Sequence, residues 1–430
     1  MRRADLLRIN LVDIACLGMG FMTSLVVPKL AIGALGVAGY GVVAVLLGVS
    51  LIPSFLELGL TPGLTREIGK LHARGKSGSI KRITFQFQSR LGGAGIIVAI
   101  AVASIAAQRN VAGAAWQPTF LAIVAGGCAN VLVLVAELSL IRVRVAGGFV
   151  SASLSRAFYS IVYMGGVILF SVFGGFRIES VFLAQLGGAC AFLTAAQFLA
   201  SRLGVAGTGA EGETALPWRR LSWSIAPQQV GRVQSSLLPG IERHYLLSFG
   251  GATAVSAYDV ALRLSALVTS VPGAIATPLV ALFSPNVANA AHNANRRVLR
   301  HMDLLTGIVV AVSGAAVLLV ARKFAVTFYG LEGSPLIAFS TFIIVGSAIN
   351  ALTASRVALL YAHDKPVPIL FKSICDLCFA GVGIIVMVVY RDPILFVAFK
   401  YLGFVVTTVG LLGFCATELS NIERDSGKRT

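Results

Sequence analysis

"GYGVVAVLLGVSLIPSFLELGLTPGLTREIGK" (Gly39–Lys70) and "AYDVALRLSALVTSVPGAIATPLVALFSPNVANAA" (Ala257–Ala291) are two stretches of one chain built to the same plan. Tyr40 aligns with Tyr258 and Pro53 with Pro272; after a small insertion, Thr61-Pro62 aligns with Ser284-Pro285. Each copy reads as an apolar helix with a Pro at mid-span. A hydroxyl-Pro step closes each copy and suits the first turn of the next segment. Repetition of this kind marks a duplicated membrane architecture. It divides the chain into an N-terminal lobe, 1–203, and a C-terminal lobe, 204–430, the latter including the inter-lobe loop and the cytoplasmic tail. The copies lie an even number of spans apart, so the repeat is parallel.

Around these stretches the chain is apolar throughout. Of 430 residues, 57% are hydrophobic and 12% charged, about half the charged fraction of a soluble domain. The apolar runs are about 20 residues long, the length that crosses a hydrocarbon core. A β-barrel would show shorter, alternating segments. Twelve spans are expected, near 8–32, 38–61, 84–107, 116–140, 149–174, 179–201, 222–248, 254–283, 303–321, 336–361, 367–390 and 394–418. The fold class is therefore an all-α polytopic membrane protein, with two pseudo-symmetric lobes of six helices each.

The net charge of +17 belongs to the loops between spans. Basic clusters stand in "TREIGKLHARGKSGSIKR", "WRR" and "NRRVLRH", while the opposite loops hold only Arg109, Arg177, Arg322, Lys323 and Arg391. The positive-inside rule then places both termini in the cytoplasm. Dispersed in this way, the charge does not form the single basic face that nucleic acid requires. Trp116, Trp218 and Trp223 fall at expected span ends, where amphipathic rings sit. The opening segment imitates a signal peptide but runs on to Val27 without a small-residue cleavage site, so it is expected to be a retained first helix. Cys375 and Cys378 form a CxxC inside an apolar run, with no second pair and no nearby His. Inert thiols are the simpler reading.

Several ionisable residues fall inside the spans: Arg90, Arg156, Arg232, Arg243, Arg263, Arg356, Lys372 and Lys400, against Asp13, Glu57, Glu137, Glu242, Asp259 and Asp376. Charge at membrane depth is costly and faces protein or a wet cavity. Asp259 with Arg263, and Lys372 with Asp376, stand four apart, so each pair can neutralise itself. Arg90, Arg156, Arg356, Asp13, Glu57 and Glu137 lie within about two turns of the cytoplasmic face, close enough to snorkel. Arg232 has no acid three or four residues away and sits in "PQQVGRVQSS" with Gln228 and Gln229. Glu242-Arg243-His244 stands near the expected end of the seventh span, where at most one of the first two would enter a cavity. Cations outnumber acids at depth, which suits an anionic cargo such as a phosphate. Pro28, Pro53, Pro227, Pro239, Pro272 and Pro278 supply bending points in the first two helices of each lobe.

"IERHYLLSFGGATAVSAYDVALRLSALVTSVPGAIATPLVALFSP" (Ile241–Pro285) resembles the junction of helices 7 and 8 in Wzx-like bacterial polysaccharide flippases. These form the polysaccharide transporter branch of the multidrug/oligosaccharidyl-lipid/polysaccharide exporter superfamily. The elements carrying the likeness are Glu242-Arg243, Leu246-Leu247, Gly250-Gly251 and Tyr258-Asp259-Val260-Ala261, with Glu242 where Asp is more usual. "YGVVAVLLGVSLIPSFLELGLTPGLTREI" is similar to the first-lobe counterpart, through Glu57-Leu58-Gly59-Leu60. The resemblance implies alternating-access transfer of an undecaprenyl-diphosphate-linked oligosaccharide from the cytoplasmic to the periplasmic leaflet of the bacterial inner membrane, through a cationic central cavity. It makes Arg232, Arg263 and Arg356 the leading cargo contacts, followed by Arg90, Arg156, Lys400, Gln228 and Gln229. Asp13, Glu57, Asp259 and Glu242 become candidates for gating or for coupling to a proton or sodium gradient.

No cofactor or metal is called for. The expected partners are the lipid-linked glycan, membrane lipids and other polysaccharide-assembly membrane proteins. Competing readings are a multidrug antiporter or a peptidoglycan lipid-precursor flippase of the same superfamily. A membrane-embedded polysaccharide polymerase or ligase is a third, but the chain shows no sizeable outer loop and no nucleophile–base or metal-ligand cluster. The chain is thus expected not to be an enzyme.

Overall fold

Long apolar runs leave the backbone only itself to bond with, so in lipid they become helices. A computed structural model of the chain describes residues 3–57, 64–65, 68, 71–72, 77–110, 116–203, 237–288, 292–330, 334–362 and 367–427. Among the described residues the protein is 94% helical, with no strand. The helices are α1 (Arg3–Ser50), α2 (Ser77–Gln108), α3 (Trp116–Val145), α4 (Phe149–Val172), α5 (Ile178–Arg202), α6 (Leu238–Ala288), α7 (His292–Tyr329), α8 (Ser334–Ala351), α9 (Ala354–Ala362), α10 (Val367–Tyr390) and α11 (Pro393–Gly427).

Eight helical stretches among the described residues are long and apolar enough to cross a membrane. This is fewer than the expected twelve: spans 1 and 2 count once, in α1, the apolar part of α8 is shorter, and α6, which joins the end of span 7 to span 8, is not among the eight. Each merged helix is broken by one Gly, Gly36 (φ 74, ψ 171) in α1 and Gly251 (φ 74, ψ 175) in α6. Only a residue without Cβ enters that region freely. Both breaks fall where the sequence placed a loop, and their near-identical dihedrals support the repeat.

The two copies differ beyond their breaks. Gly36 precedes Tyr40 by four residues, whereas Gly251 precedes Tyr258 by seven. Pro53 stops the α-helix and stands in a 3-10 turn, Ile52–Glu57; Pro272 is simply carried within α6. The Ser284-Pro285 step starts no new helix, since α6 runs on to Ala288. Expected span 336–361 is likewise divided, at Leu352-Thr353, into α8 and α9.

The surface is inverted relative to a soluble protein. Phe85, Ile97, Phe173, Leu319, Phe371 and Val389 are all exposed, as lipid-facing side chains should be. Trp116, at the start of α3, is half exposed and stacks on Phe120.

By its internal contacts the chain forms two compact units, Met1–Ser256 and Ala257–Thr430. In the first, α3 is the central helix: 61% of its apolar window is buried, against 22% for α4. Ala136, Leu140 and Val143 of α3 pack on Ala152 of α4 and on Phe192, Ala196 and Ala200 of α5. On its other side, Leu138 and Ile141 meet Ile80, Ile83 and Phe87 of α2, with Leu64, Ile68 and Leu71. In the second unit, Tyr258 of α6 is fully buried between Phe339 of α8 and Phe396 of α11. Leu360, Ile369, Leu411 and Cys415 close the opposite end.

Candidate functional site

The intramembrane charges were the sequence's strongest functional signal, and the structure shows where many of them are used. Arg263 binds Asp259 one turn away at 2.7 Å, and Asp259 is buried. Tyr329 lies near this pair, beyond the apolar span of α7. Burial holds its phenol above its usual value, with Arg263 opposing the shift and Asp259 adding to it. Lys372 binds Asp376 at 2.6 Å, and the second carboxylate oxygen accepts from the Thr407 hydroxyl of α11. Both i,i+4 pairs thus form, as their spacing allowed.

Arg356 is held more elaborately. Its Nε donates to Asp303 at 3.1 Å, and its terminal nitrogen donates to the Leu412 carbonyl at 3.2 Å. Ser355 also donates to Asp303. Arg156 grips Glu137 with two nitrogens, at 2.6 and 2.7 Å, and Arg144 reaches the same carboxylate at 2.8 Å. That fork geometry is the one Arg offers a carboxylate or a phosphate. Lys400 donates to the Tyr258 hydroxyl at 3.0 Å, and its ammonium lies 5.4–5.9 Å from the ring centres of Tyr401, Tyr258 and Phe396. Such a box of rings stabilises a buried cation.

Among the described residues, Arg156, Arg263, Arg356 and Lys372 are therefore held in ion pairs. A raw count overstates the charge available to a cargo. Arg90 is exposed and forms no ion pair among the described residues. Arg232, Gln228 and Gln229 lie outside the described residues, as do the side chains of Asp13 and Glu57.

Glu242 and Arg243 are both buried. They stand about nine residues before the Gly251 break, about 13 Å by helical rise. The part of α6 from Pro239 to Ser256, across the Gly251 break, runs antiparallel to the part of α1 that follows Gly36. Ser256 donates to the Val37 carbonyl at 2.7 Å, a Cβ on Gly41 would strike the Ala252 carbonyl, and one on Gly48 would lie 2.9 Å from Gly240 Cα. The Arg243 guanidinium lies against Gly48. Backbones this close explain why Glu242 and Arg243 are buried here, while Ile241 beside them stays exposed.

Asp303, at the first residue of an expected span, is not among the intramembrane acids named from the sequence, and Tyr258 is named there only as a repeat and motif position. Thr407 and Tyr258 anchor buried ions but are neutral, so a search confined to ionisable residues misses that role. Periodicity could have found Thr407: with Phe396, Lys400 and Phe404 it follows one face of α11.

No family model matches the sequence, and no curated protein matches it significantly. Solved structures do match. A multidrug resistance MATE family transporter of the MOP superfamily, in an inward-facing conformation, aligns with a TM-score of 0.72 at 14% identity, over 96% of this chain and 99% of the other. A MOP superfamily transporter from Pyrococcus furiosus, described as having a binding pocket of reverse polarity that suggests a different function, aligns at 0.73 and 15% identity, over 97% and 96%. The MATE multidrug transporter DinF-BH, solved as a ligand complex, aligns at 0.70 and 13%, over 96% of each chain. The chain has the fold of these transporters along almost its whole length.

Proposed function

We propose that the protein is a transporter that moves a polyprenyl-diphosphate-linked oligosaccharide across the bacterial inner membrane by alternating access, with both termini in the cytoplasm. The fold supports the transport part, because solved neighbours are described in both inward-facing and outward-facing conformations. The cargo reading is supported by charge. The intramembrane residues named from the sequence are eight cations against seven acids once Asp303 is counted. Glu137 is gripped by Arg144 as well as Arg156, and exposed Arg90 forms no ion pair among the described residues. An acidic pocket would suit the cationic compounds of a drug exporter; a basic one suits a diphosphate. The P. furiosus neighbour, with its reversed pocket polarity and suggested change of function, supports reading cargo from pocket sign on this fold.

Arg232 is the leading cargo contact, followed by Arg90, Gln228 and Gln229. Arg156, Arg263, Arg356 and Lys400 would have to leave their present partners to bind cargo. Their role is better read as holding the walls and changing partners during the cycle. Glu242, Asp259, Asp13 and Glu57 remain the residues proposed for gating or for coupling to a proton or sodium gradient.

A second reading, multidrug export, is favoured by the internal neutralisation of so many charges, which leaves a more apolar interior. The two readings separate in purified protein. Tryptophan quenching by a soluble prenyl-diphosphate should saturate and weaken with salt, and Arg232→Gln should weaken it at least ten-fold, about one lost charge-assisted contact. Saturable quenching by a cationic dye alone would favour drug export.

A further inference from the structure

In the part of α1 that follows Gly36, the α-helix gives way to a 3-10 turn. Pro53 has no N–H to donate, so the Val49 carbonyl loses its usual partner. The chain then tightens: Leu51 N–H donates to Gly48 O at 3.3 Å and Ser54 N–H to Leu51 O at 3.0 Å. In a continued α-helix, Ser54 N–H would instead bond the Ser50 carbonyl. That carbonyl is taken by another helix. Asn130 of α3 donates to it through Nδ2 at 2.8 Å, and the Asn130 Oδ1 accepts from Gln185 of α5 at 3.4 Å.

The surrounding surface is shaped for the turn. One turn before Asn130, a Cβ on Gly126 would lie 2.8 Å from Ser50 Cβ, and one on Gly127 would lie 3.3 Å from Pro53 Cγ. Ser50 is fully buried. A buried carbonyl left without a donor is expensive, so the bent form needs Asn130. The straight form does not, because Ser54 N–H would serve. Ser50 O is thus one acceptor claimed by two donors, each belonging to one conformation. A 3-10 turn at the end of an α-helix, as here beyond Ser50, is a place where the chain can exchange one hydrogen-bond pattern for the other.

We propose that Asn130 is a positioning residue for the conformational cycle, a latch that holds the 3-10 bend at Ile52–Glu57. Releasing Ser50 O to Ser54 N–H straightens the helix, and Gln185 keeps the Asn130 amide oriented for recapture. The latch rests on the hydrogen-bond geometry alone; its part in moving cargo rests on the transporter reading.

The test is pulsed electron–electron distance measurement on the full chain in lipid nanodiscs, with the six native cysteines replaced by serine. Spin labels at Leu56→Cys and Leu121→Cys report the bend. A control pair at Leu154→Cys and Phe198→Cys reports α4 against α5. Asn130→Leu should raise the ratio of a second distance to the bent one at least about five-fold, the worth of one net hydrogen bond. Asn130→Asp should restore the bent distance at pH 5, where a protonated carboxyl can donate, and lose it at pH 9. An unchanged distribution in both variants overturns the latch. So does a pH-independent change that appears equally in the control pair, because Asn130 would then be general packing. Where Asn130→Leu fails to fold, Asn130→Asp read across pH decides alone. A cargo assay that finds no transport leaves these distances, and the latch, intact.

Discussion

Removing the Asp376 carboxylate strands the Lys372 ammonium inside an apolar unit. Asp376→Ala should therefore destabilise the protein by about 3 kcal/mol or more, the cost of a buried charge without its partner. Replacing both, Lys372→Met with Asp376→Leu, should cost clearly less, since a buried pair is often no more stable than a packed apolar one. Chemical denaturation in detergent micelles would rank the variants; equal losses would mean that the pair is not isolated from water. At this scale the sequence was informative where partners are near neighbours. Asp259–Arg263 and Lys372–Asp376 follow from i,i+4 spacing alone. Asp303–Arg356 joins residues more than fifty positions apart, a pairing that only the packing of helices decides. Neutral anchors such as Thr407 and Tyr258 carry no electrostatic signature in a sequence at all.

Gly36 and Gly251 test the helices as elements. A Cβ at either position meets no atom within 4 Å, so a substitution there probes backbone strain without a clash. Gly36→Val and Gly251→Val should each cost about 1–3 kcal/mol, the usual strain of a side chain held at such dihedrals. Gly48→Ala should also destabilise, for a different reason: its Cβ would enter the space of Gly240. Thermal unfolding of the purified variants checks both, and tolerance at Gly36 and Gly251 would mean that the breaks are not fixed as described. Apolar runs and their interruptions located these breaks well, because hydrophobic length is a strong signal. They did not reveal that Pro53 ends in a 3-10 turn while Pro272 stays in an α-helix. That outcome is set by what lies opposite: Gly126, Gly127 and Asn130 accept the tighter turn. The quoted repeat was legible as a pattern, and its differences were not.

Across the whole chain, the all-α polytopic fold was readable from composition and span length, and the likeness to solved transporters extends over 96–97% of it. Cargo is less directly written, because pairing conceals how much charge remains available. The decisive measurement is leaflet transfer in vesicles containing the reconstituted protein, with a fluorescent polyprenyl-diphosphate glycan and a cationic dye followed side by side. Protein-dependent transfer of the glycan, slowed at least ten-fold by Arg232→Gln with insertion intact, is the predicted result, with no comparable movement of the dye. Movement of the dye without the glycan, in folded protein, would contradict the flippase reading and leave a drug exporter in its place.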